Sequence, residues 1–390
     1  MVAPVDRQYV VRTLQDLVHI NSINPALEAG GPGEAEIAGY VARALEAAGL
    51  DVASHEPEPG RVSVVGRLAG RGGEGGRGGR SLLLNAHMDT VGVAGMPEPF
   101  SGAVRDGKLY GRGAYDMKGS LAAMLGAAKA LADAKAPFTG SLLMAGVADE
   151  ENASIGTADL IPRYPADAAI VTEPTHLEVC LAHKGFAWIE VTTEGHAAHG
   201  SRPDLGVDAN LAMGKFLARL ALLEEELRGR KPHPLVGPPS LHAGVLHGGT
   251  APSVYAASSK LIIERRMIPG ETEAQVVREI AAVIDEMTRG DAPFRATHRL
   301  TLAREPFEVS REAGIVQSVA RAVEAELGVP ARYGGQTPWM DSALLAAAGV
   351  ETVVIGPTGA GAHAAEEWVD VESVVRLAGV LVRATLEYCR

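Results

Sequence analysis

The chain has 390 residues, of which 46% are hydrophobic and 22% are charged, and its formal net charge is −12. This length favours two domains, and this composition is typical of a folded protein with a large core. The acidic balance argues against nucleic acid or an anionic membrane as a partner, because both require a basic surface. No apolar run approaches the roughly 20 residues of a membrane-spanning helix.

Neither the N-terminus nor the cysteines point to secretion. The first residues carry charges at Asp6, Arg7 and Asp16 and predict an amphipathic helix rather than a signal peptide. The two cysteines, Cys180 and Cys389, lie far apart and lack the spacing of metal ligands. A disulfide framework is therefore not expected, and a reducing cytoplasm is the expected location.

A glycine- and arginine-rich run occupies residues 66–81. Glycine-rich loops bind phosphates when they lead into the N-terminus of a helix, but this run leads into a strand. The composition therefore favours a flexible surface hairpin loop. A nucleotide-binding oxidoreductase is disfavoured for the same reason, because no strand leads through a G-x-G-x-x-G turn into a helix.

Apolar strand patterns alternate with helical patterns at both ends of the chain, which is typical of a layered α/β domain. A stripe that includes Leu121, Leu125 and Leu131 predicts a helix in the first part. The predicted strands cover 81–87, 140–148, 166–173 and 350–356, and the predicted helices cover 119–134 and 371–389.

The middle of the chain has a different order of elements. Residues 183–305 show the patterns of a strand, a helix, two strands, a helix and a strand, which is the split βαβ order of a small ferredoxin-like domain. The chain then returns to α/β character. We therefore expect one α/β domain made from residues 1–182 and 306–390, with an α+β domain, residues 183–305, inserted into it.

Three predicted strands end in residue types that bind metals. His87 and Asp89 follow the first, the acidic residues 149–151 follow the second, and Glu173 ends the third. Ligands of open α/β sheets bind at the carboxyl ends of strands, so these groups can converge. Packed carboxylates repel one another unless a cation neutralises them. Nitrogen and oxygen ligands without thiolate suit Zn²⁺, and Co²⁺ or Mn²⁺ would accept the same set.

Each feature, taken alone, has another interpretation. His-x-Asp occurs often by chance, and an isolated acidic turn at 149–151 would be solvated. Asp116 lies before a helix that begins near Gly119, where a carboxylate could bridge two metals or cap the helix. His363 lies in a glycine-rich loop that permits close approach to a site, and it could also be a surface histidine. Their joint occurrence favours a metal site.

These segments together resemble the di-zinc aminoacylase and carboxypeptidase superfamily, which includes acetylornithine deacetylase, succinyl-diaminopimelate desuccinylase and carboxypeptidase G. The resemblance extends over nearly the whole chain, through AHMDT, GRGAYDMKGS, ADEE, TEP, AHGSRPDLGVDA, ERRMIPGE and AHAAEEWV in this order. It implies a three-layer, zinc-exopeptidase-like catalytic domain that binds two Zn²⁺ per subunit. It also implies that the inserted ferredoxin-like domain is a lid through which two subunits form a homodimer.

The resemblance implies roles for individual residues. The implied metal ligands are His87, Asp116, Glu151, Glu173 and His363. Asp116 would bridge the two ions, His87 and Glu173 would complete one site, and the remaining two ligands would complete the other. Asp89 would orient His87, and Glu150 would be the general base that passes a proton from water to the departing amine. The family also suggests a cis peptide bond after Asp116.

Two residues of the inserted domain match functional residues of the family. His199, in AAHGS, matches a histidine that helps to hold the oxyanion, in the active site of the partner subunit, whereas His196 has no such match and is expected to be structural or solvent-facing. Arg266, in ERRMIPGE, matches the arginine that binds the substrate carboxylate, and its alternative is a salt bridge at a strand edge. Ser253 stands where many members carry asparagine, so this recognition would be altered.

The implied function is metal-dependent hydrolysis of the amide bond of an N-acyl amino acid. EPTHLEVCLAHKGFAWIEV and ERRMIPGE lean toward the acetylornithine deacetylase-like members. A desuccinylase, a broad aminoacylase, and a dipeptidase or carboxypeptidase are the alternatives. A metal-binding protein without catalysis would be expected to lack a ligand or the general base, and this chain carries all of them.

Overall fold

A computed structural model of the chain describes residues 4–70, 79–93, 95–291 and 293–390. The chain divides into two compact units. The first consists of Met1–Leu181, Val309–Gly334 and Met340–Arg390, and the second of Ala182–Glu308 and Gly335–Trp339. The short return of the chain to the second unit at 335–339 was not expected from the sequence.

Helices and strands are numbered in chain order. The helices of the first unit are α1 (Arg7–His19), α2 (Ala35–Ala47), α3 (Gly119–Asp133), α4 (Ile155–Leu160), α7 (Gly314–Leu327), α8 (Ser342–Ala347) and α9 (Val371–Tyr388). The strands of its large sheet are β1 (Asp51–Glu58), β2 (Arg61–Ala69), β3 (Ser81–His87), β6 (Ser141–Val147), β7 (Ala168–Val171) and β15 (Glu351–Val354). A small sheet contains β4 (Val104–Arg105), β5 (Lys108–Tyr110), β16 (Gly359–Ala360) and β17 (Trp368–Asp370). Along the chain, β8 (Val179–His183) and β14 (Tyr333–Gln336) cross the unit boundary.

The order of the large sheet brings the predicted metal-binding strand ends together. Its strands follow the order β1-β2-β6-β3-β7-β15-β8. The central strand β3 is parallel to β6 on one side and to β7 on the other, with His87 opposite Val147. The carboxyl ends of β3, β6 and β7 therefore lie at one edge of the sheet, as predicted.

Helices cover both faces of this sheet. Leu83 and Asn85 of β3 face Leu160 of α4 and Leu345 of α8. Because side chains alternate along a strand, Leu82 and Leu84 face the opposite layer. In that layer, α3 contacts β3 and β6 and packs against α1 and α9. A parallel strand that is covered on both faces is mostly apolar, and β3 is buried from Leu82 to His87. The predicted three-layer α/β fold class is confirmed.

The second unit has the predicted β-α-β-β-α-β order. Its elements are β9 (Gly185–Glu194), α5 (Ala209–Gly229), β10 (Ser240–Gly248), β11 (Ser258–Met267), α6 (Glu273–Gly290) and β12 (Ala296–Arg304), and the short strand β13 (Phe307–Glu308) follows them. The antiparallel sheet has the order β10-β11-β9-β12. Alternate residues of β9, such as Ile189 and Val191, form its core with Phe216 of α5 and Ile280 of α6.

The sequence predicted a hairpin loop at residues 66–81. Residues 71–78 lie outside the described residues. The flanking strands β2 and β3 do not form a hairpin, because each pairs with β6, on opposite sides of that strand.

Among the described residues, every helix is too short or too polar to cross a membrane.

Candidate metal centre

His87 ends β3 and presents one ring nitrogen to the site. Its Nδ1 lies 2.9 Å from the main-chain oxygen of Asp89. A carbonyl only accepts, so Nδ1 carries a proton and Nε2 remains available as a ligand atom. Nε2 lies 3.1 Å from Asp116 Oδ1 and 3.6 Å from Glu173 Oε1. The ring is buried, so these contacts lie in a desolvated environment.

Asp116 lies between two histidines. Asp116 and Met117 have non-helical backbone angles, and α3 begins only at Gly119 with Lys118 as its N-cap, so Asp116 does not cap that helix. The peptide bond from Asp116 to Met117 is cis, as the resemblance suggested. While Oδ1 faces His87, Oδ2 lies 3.4 Å from Nε2 of His363. One carboxylate thus serves both sides of the site.

The predicted ligands form two groups that could each hold one metal ion. In each group, the ligand atoms lie within 4.8 Å of one another. The groups are His87, Asp116 and Glu173, and Asp116, Glu151 and His363. In the second group, Nε2 of His363 lies 3.0 Å from Glu151 Oε2. The donor set of imidazole nitrogens and carboxylate oxygens, without a thiolate, fits a divalent ion such as Zn²⁺.

Several carboxylates lie close together in the site, and burial and charge shift the pKa values of its residues. Burial raises the pKa of Glu173 well above its usual value. Burial alone would lower the pKa of His87, but the charge of Glu173 and a hydrogen bond to Asp116 raise it well above its usual value. Hydrogen bonds to Asp116 and Glu151 raise the pKa of His363 to about 10. The carboxylates therefore require positive charge, which protonated histidines or metal cations can supply.

Glu150 lies beside the ligand groups without belonging to either. It is half-buried, and burial and the charge of Glu173 raise its pKa well above the usual value of a glutamate. A carboxylate with a raised pKa is a better proton acceptor near neutral pH. This environment is what a general base needs.

Asp89 contacts both His87 and the turn at Glu150 and Glu151. It contacts the ring of His87 mainly through its main-chain oxygen, while its carboxylate Oδ1 lies 3.6 Å from Nδ1. The carboxylate instead accepts hydrogen bonds from the main-chain N–H of Glu150, at 3.1 Å, and of Glu151, at 3.3 Å. Asp89 thus fixes the turn that carries Glu150 and Glu151.

A buried polar network supports this turn and was missed from the sequence. Asn24 Nδ2 donates to Asp89 Oδ2 at 2.8 Å and to Asp149 Oδ1 at 2.9 Å. Arg61 Nη2 lies 2.6 Å from Glu34 Oε1 and 2.8 Å from Asp149 Oδ1. All five residues are buried. The only sequence signal is a charged residue at the start of an apolar strand, as at Arg61, and it does not reveal its partners.

His199 and Ser253 lie in adjacent loops of the second unit. His199 is exposed, and its Nδ1 lies 2.8 Å from Ser201 Oγ and accepts from Ser201 N at 3.2 Å. Gly200 N donates to the main-chain oxygen of Ser253 at 2.7 Å. His196 is exposed, and its main chain bonds to Val207, which agrees with a structural position. The catalytic role of His199 stays a prediction.

Arg266 makes the salt bridge that was its alternative interpretation. Its Nε donates to Glu264 Oε1 at 2.6 Å, and its guanidinium lies 5.3 Å from the ring centre of Phe186. The bridge lies on β11, which is an internal strand and not the expected edge strand. Binding of a substrate carboxylate by Arg266 stays a prediction.

The three-layer unit, with histidine and carboxylate groups at its strand ends, agrees with the predicted class of metal-dependent hydrolases. The chain belongs to the peptidase family M20/M25/M40, whose family model matches residues 83–387. This membership confirms the predicted superfamily and the prediction of a hydrolase.

Individual relatives span almost the whole chain. An acetylornithine deacetylase of Myxococcus xanthus is 32% identical over 360 residues, which cover 90% of this chain and 91% of the relative. An N-formyl-4-amino-5-aminomethyl-2-methylpyrimidine deformylase of Halalkalibacterium halodurans is 27% identical over 381 residues, which cover 90% of this chain and 88% of the relative. Among solved structures, aminopeptidase PepT from Bacillus cereus superposes with a TM-score of 0.80 at 19% identity and covers 99% of this chain and 100% of its own. The relatives have different names, so they identify the family and the fold but not the substrate.

Proposed function

We propose that this protein hydrolyses the amide bond of an N-acyl amino acid and that N-acetylornithine is its main substrate. The observation that carries the proposal is the pair of ligand groups that share Asp116, with Glu150 beside them. The similarity to the Myxococcus xanthus acetylornithine deacetylase supports the choice of substrate.

We assign two Zn²⁺ as the cofactor. His87 and Glu173 would hold one ion with Asp116, and Glu151 and His363 would hold the other with the same aspartate. Bound divalent ions would polarise the scissile carbonyl and lower the pKa of the attacking water. The ligand atoms belong to classes that Zn²⁺ binds, while Co²⁺ and Mn²⁺ accept the same classes.

Glu150 is assigned as the general base. Its carboxylate would accept a proton from the attacking water and then donate it to the leaving nitrogen, which cannot depart as an anion. Two features support this role: the raised pKa of Glu150, and the hydrogen bond that holds its main chain to Asp89. Asp89 is therefore assigned a positioning role for the base as well as for His87.

His199 is assigned as a donor to the oxyanion. Ser201 N can only donate, so the neutral His199 ring accepts at Nδ1 and carries its proton at Nε2. An exposed Nε2–H is free to donate to an oxygen that gains negative charge, in the active site of a partner subunit. Arg266 is assigned to the substrate carboxylate, since its ion pair through Nε leaves the forked end of the guanidinium for a second anion.

A homodimer through the second unit is part of the proposal. In the described part of the sheet, β10 pairs with β11 alone and so presents a free edge. Val245 and Leu246 on this strand are 44% and 50% exposed, and Leu211 at the start of α5 is 69% exposed. An edge strand of one copy can pair with the same strand of a second copy about a two-fold axis. We also assign the protein to the cytoplasm, since its two cysteines are far apart and buried.

The test is release of free amine by the Zn²⁺-loaded protein, with the chelated protein and the Glu150→Gln variant as controls. The panel contains N-acetylornithine, N-succinyl-diaminopimelate, N-acetyl amino acids, dipeptides and an N-formylated aminopyrimidine. We expect N-acetylornithine to dominate and both controls to lose nearly all activity. Dominance of another compound would replace the substrate but keep the reaction class. Two bound Zn²⁺ without hydrolysis of any compound would contradict the proposed activity.

A further inference from the structure

A buried ion pair joins the loops that carry Asp116 and His363. Arg112 Nη1 donates to Glu367 Oε2 at 2.6 Å, although the two residues are 255 positions apart. Arg112 is 3% exposed and Glu367 is 2% exposed. Neither residue belongs to a ligand group, so the proposed reaction leaves the pair without a role.

The carboxylate of Glu367 also holds the main chain of the Asp116 loop. Oε2 accepts a second hydrogen bond from Gly113 N at 3.0 Å. Oε1 accepts from Tyr115 N at 2.9 Å and from Asp116 N at 3.0 Å. Both oxygens thus accept two bonds each, and one of the four donors is the ligand residue Asp116 itself.

Arg112 ties the same pair to two other loops of the site. Its Nε donates to Gly92 O at 2.9 Å, and its Nη2 donates to Ala364 O at 2.8 Å. Gly92 lies in the loop that follows His87 and Asp89, and Ala364 directly follows His363. The planar guanidinium fork makes all three connections at once, which a lysine ammonium cannot do in this geometry.

The small sheet explains why Arg112 and Glu367 meet. Its strands β5 and β17 are antiparallel, with Tyr110 opposite Trp368. The pairing continues for one step, where Gly111 N donates to Glu367 O at 3.1 Å. This register brings Arg112, just after β5, against Glu367, just before β17. The small sheet therefore sets how the Asp116 loop meets the His363 loop.

We propose that Glu367, together with Arg112, is a positioning residue that fixes Asp116 against His363 and so determines how tightly the group Asp116, Glu151 and His363 binds its ion. The inference rests on the metal centre proposed above. A buried ion pair could instead serve stability alone, because removal of one partner leaves an uncompensated charge. A purely structural role lowers the unfolding temperature but leaves the metal affinity of the folded protein unchanged. A positioning role weakens that affinity.

The first experiment compares Glu367→Gln with Glu366→Gln in the full chain. A glutamine has a single acceptor oxygen, so its NH₂ group would face donors on one side of the site. Glu366 is an exposed neighbour and provides the matched control. Zn²⁺ binding is measured by competition with a chromophoric chelator, well below the unfolding midpoint of each protein. For Glu367→Gln we expect one of two ions to bind about 10- to 100-fold more weakly, the usual cost of losing a residue that orients a ligand. Excess Zn²⁺ should restore part of kcat with little change in KM.

A second variant keeps the inference testable if Glu367→Gln does not fold. Arg112→Lys keeps the positive charge but loses the bonds to Gly92 and Ala364, and we expect it to weaken the same ion about tenfold. Wild-type affinity for both ions in the folded variants would overturn the inference, and so would an equal loss in Glu366→Gln. If the wild type bound two Zn²⁺ and only these variants lost one, the inference would stand even if no panel substrate were hydrolysed. A wild type that bound no Zn²⁺ would overturn the metal centre as well.

Discussion

The two proposed ligand groups that share Asp116 are held in different ways. His87 and Glu173 lie at or just beyond the ends of β3 and β7, and they are 1% and 6% exposed. Glu151 and His363 lie in loops, and the side chain of His363 is 55% exposed. Strand pairing across the sheet places the first group, whereas the second depends on side-chain contacts such as Asp89 to Glu151 N. We therefore expect the first group to bind its ion more tightly.

The largest effect is expected at Glu150, which lies beside the two proposed ligand groups and belongs to neither. We expect Glu150→Gln to lower kcat about 10³-fold, because general acid–base catalysis is typically worth about 10² to 10⁴. Both metal affinities should stay unchanged, as measured by Zn²⁺ titration beside steady-state kinetics. Turnover within about tenfold of the wild type would contradict the assignment of the base.

His87 and His363 are best compared by their contributions to the free energy of unfolding of the protein without metal. His87→Ala removes the buried partner of Glu173 and leaves Asp116 with His363 alone, which should lower the free energy of unfolding by about 3 kcal/mol. His363→Ala removes a half-exposed partner and should cost about 1 kcal/mol or less. Urea denaturation at neutral pH measures both values. Equal losses of unfolding free energy would contradict the expected difference between the two groups.

Metal affinity should rise with pH in both groups. The raised pKa of each histidine means that a proton occupies the ligand nitrogen near neutral pH and must leave before a metal binds. For one proton released per ion, the affinity should increase about tenfold per pH unit below the histidine pKa, which is about 10 for His363. Calorimetric titration in buffers of different ionisation enthalpy counts the protons. In His363→Ala, the release for one ion should disappear, and an unchanged count would contradict this assignment.

The buried network of Asn24, Asp89 and Asp149 supports the turn that carries Glu150 and Glu151. Asn24→Leu keeps the volume but removes donors to Asp89 and Asp149, which should cost about 2 kcal/mol of stability. The control is Asn152→Leu, since the exposed Asn152 donates to the same Asp149 oxygen at 3.4 Å. Its cost should stay within about 0.5 kcal/mol. Similar losses in the two variants would mean that burial of Asn24 does not matter.

The sequence by itself determined the elements and the residue types of the site. Apolar runs that end in His87, 149–151 and Glu173 predicted strands with functional groups at their ends, and the sheet order brings these ends together. The start of α3 at Gly119 and the β-α-β-β-α-β order of the second unit were also predicted. These features have local signals, because side-chain periodicity and strand termination are properties of neighbouring residues.

Only the tertiary structure decided how the site is held. The carboxylate of Asp89 binds the N–H groups of Glu150 and Glu151, which lie 61 and 62 positions away. Glu367 meets Arg112 across 255 positions, and its neighbour Glu366 looks equivalent in the sequence yet is exposed. Hydrogen bonds between distant segments leave no periodic pattern in the chain. Which of two adjacent glutamates is buried depends on the register of β5 and β17, and that register exists only in the folded protein.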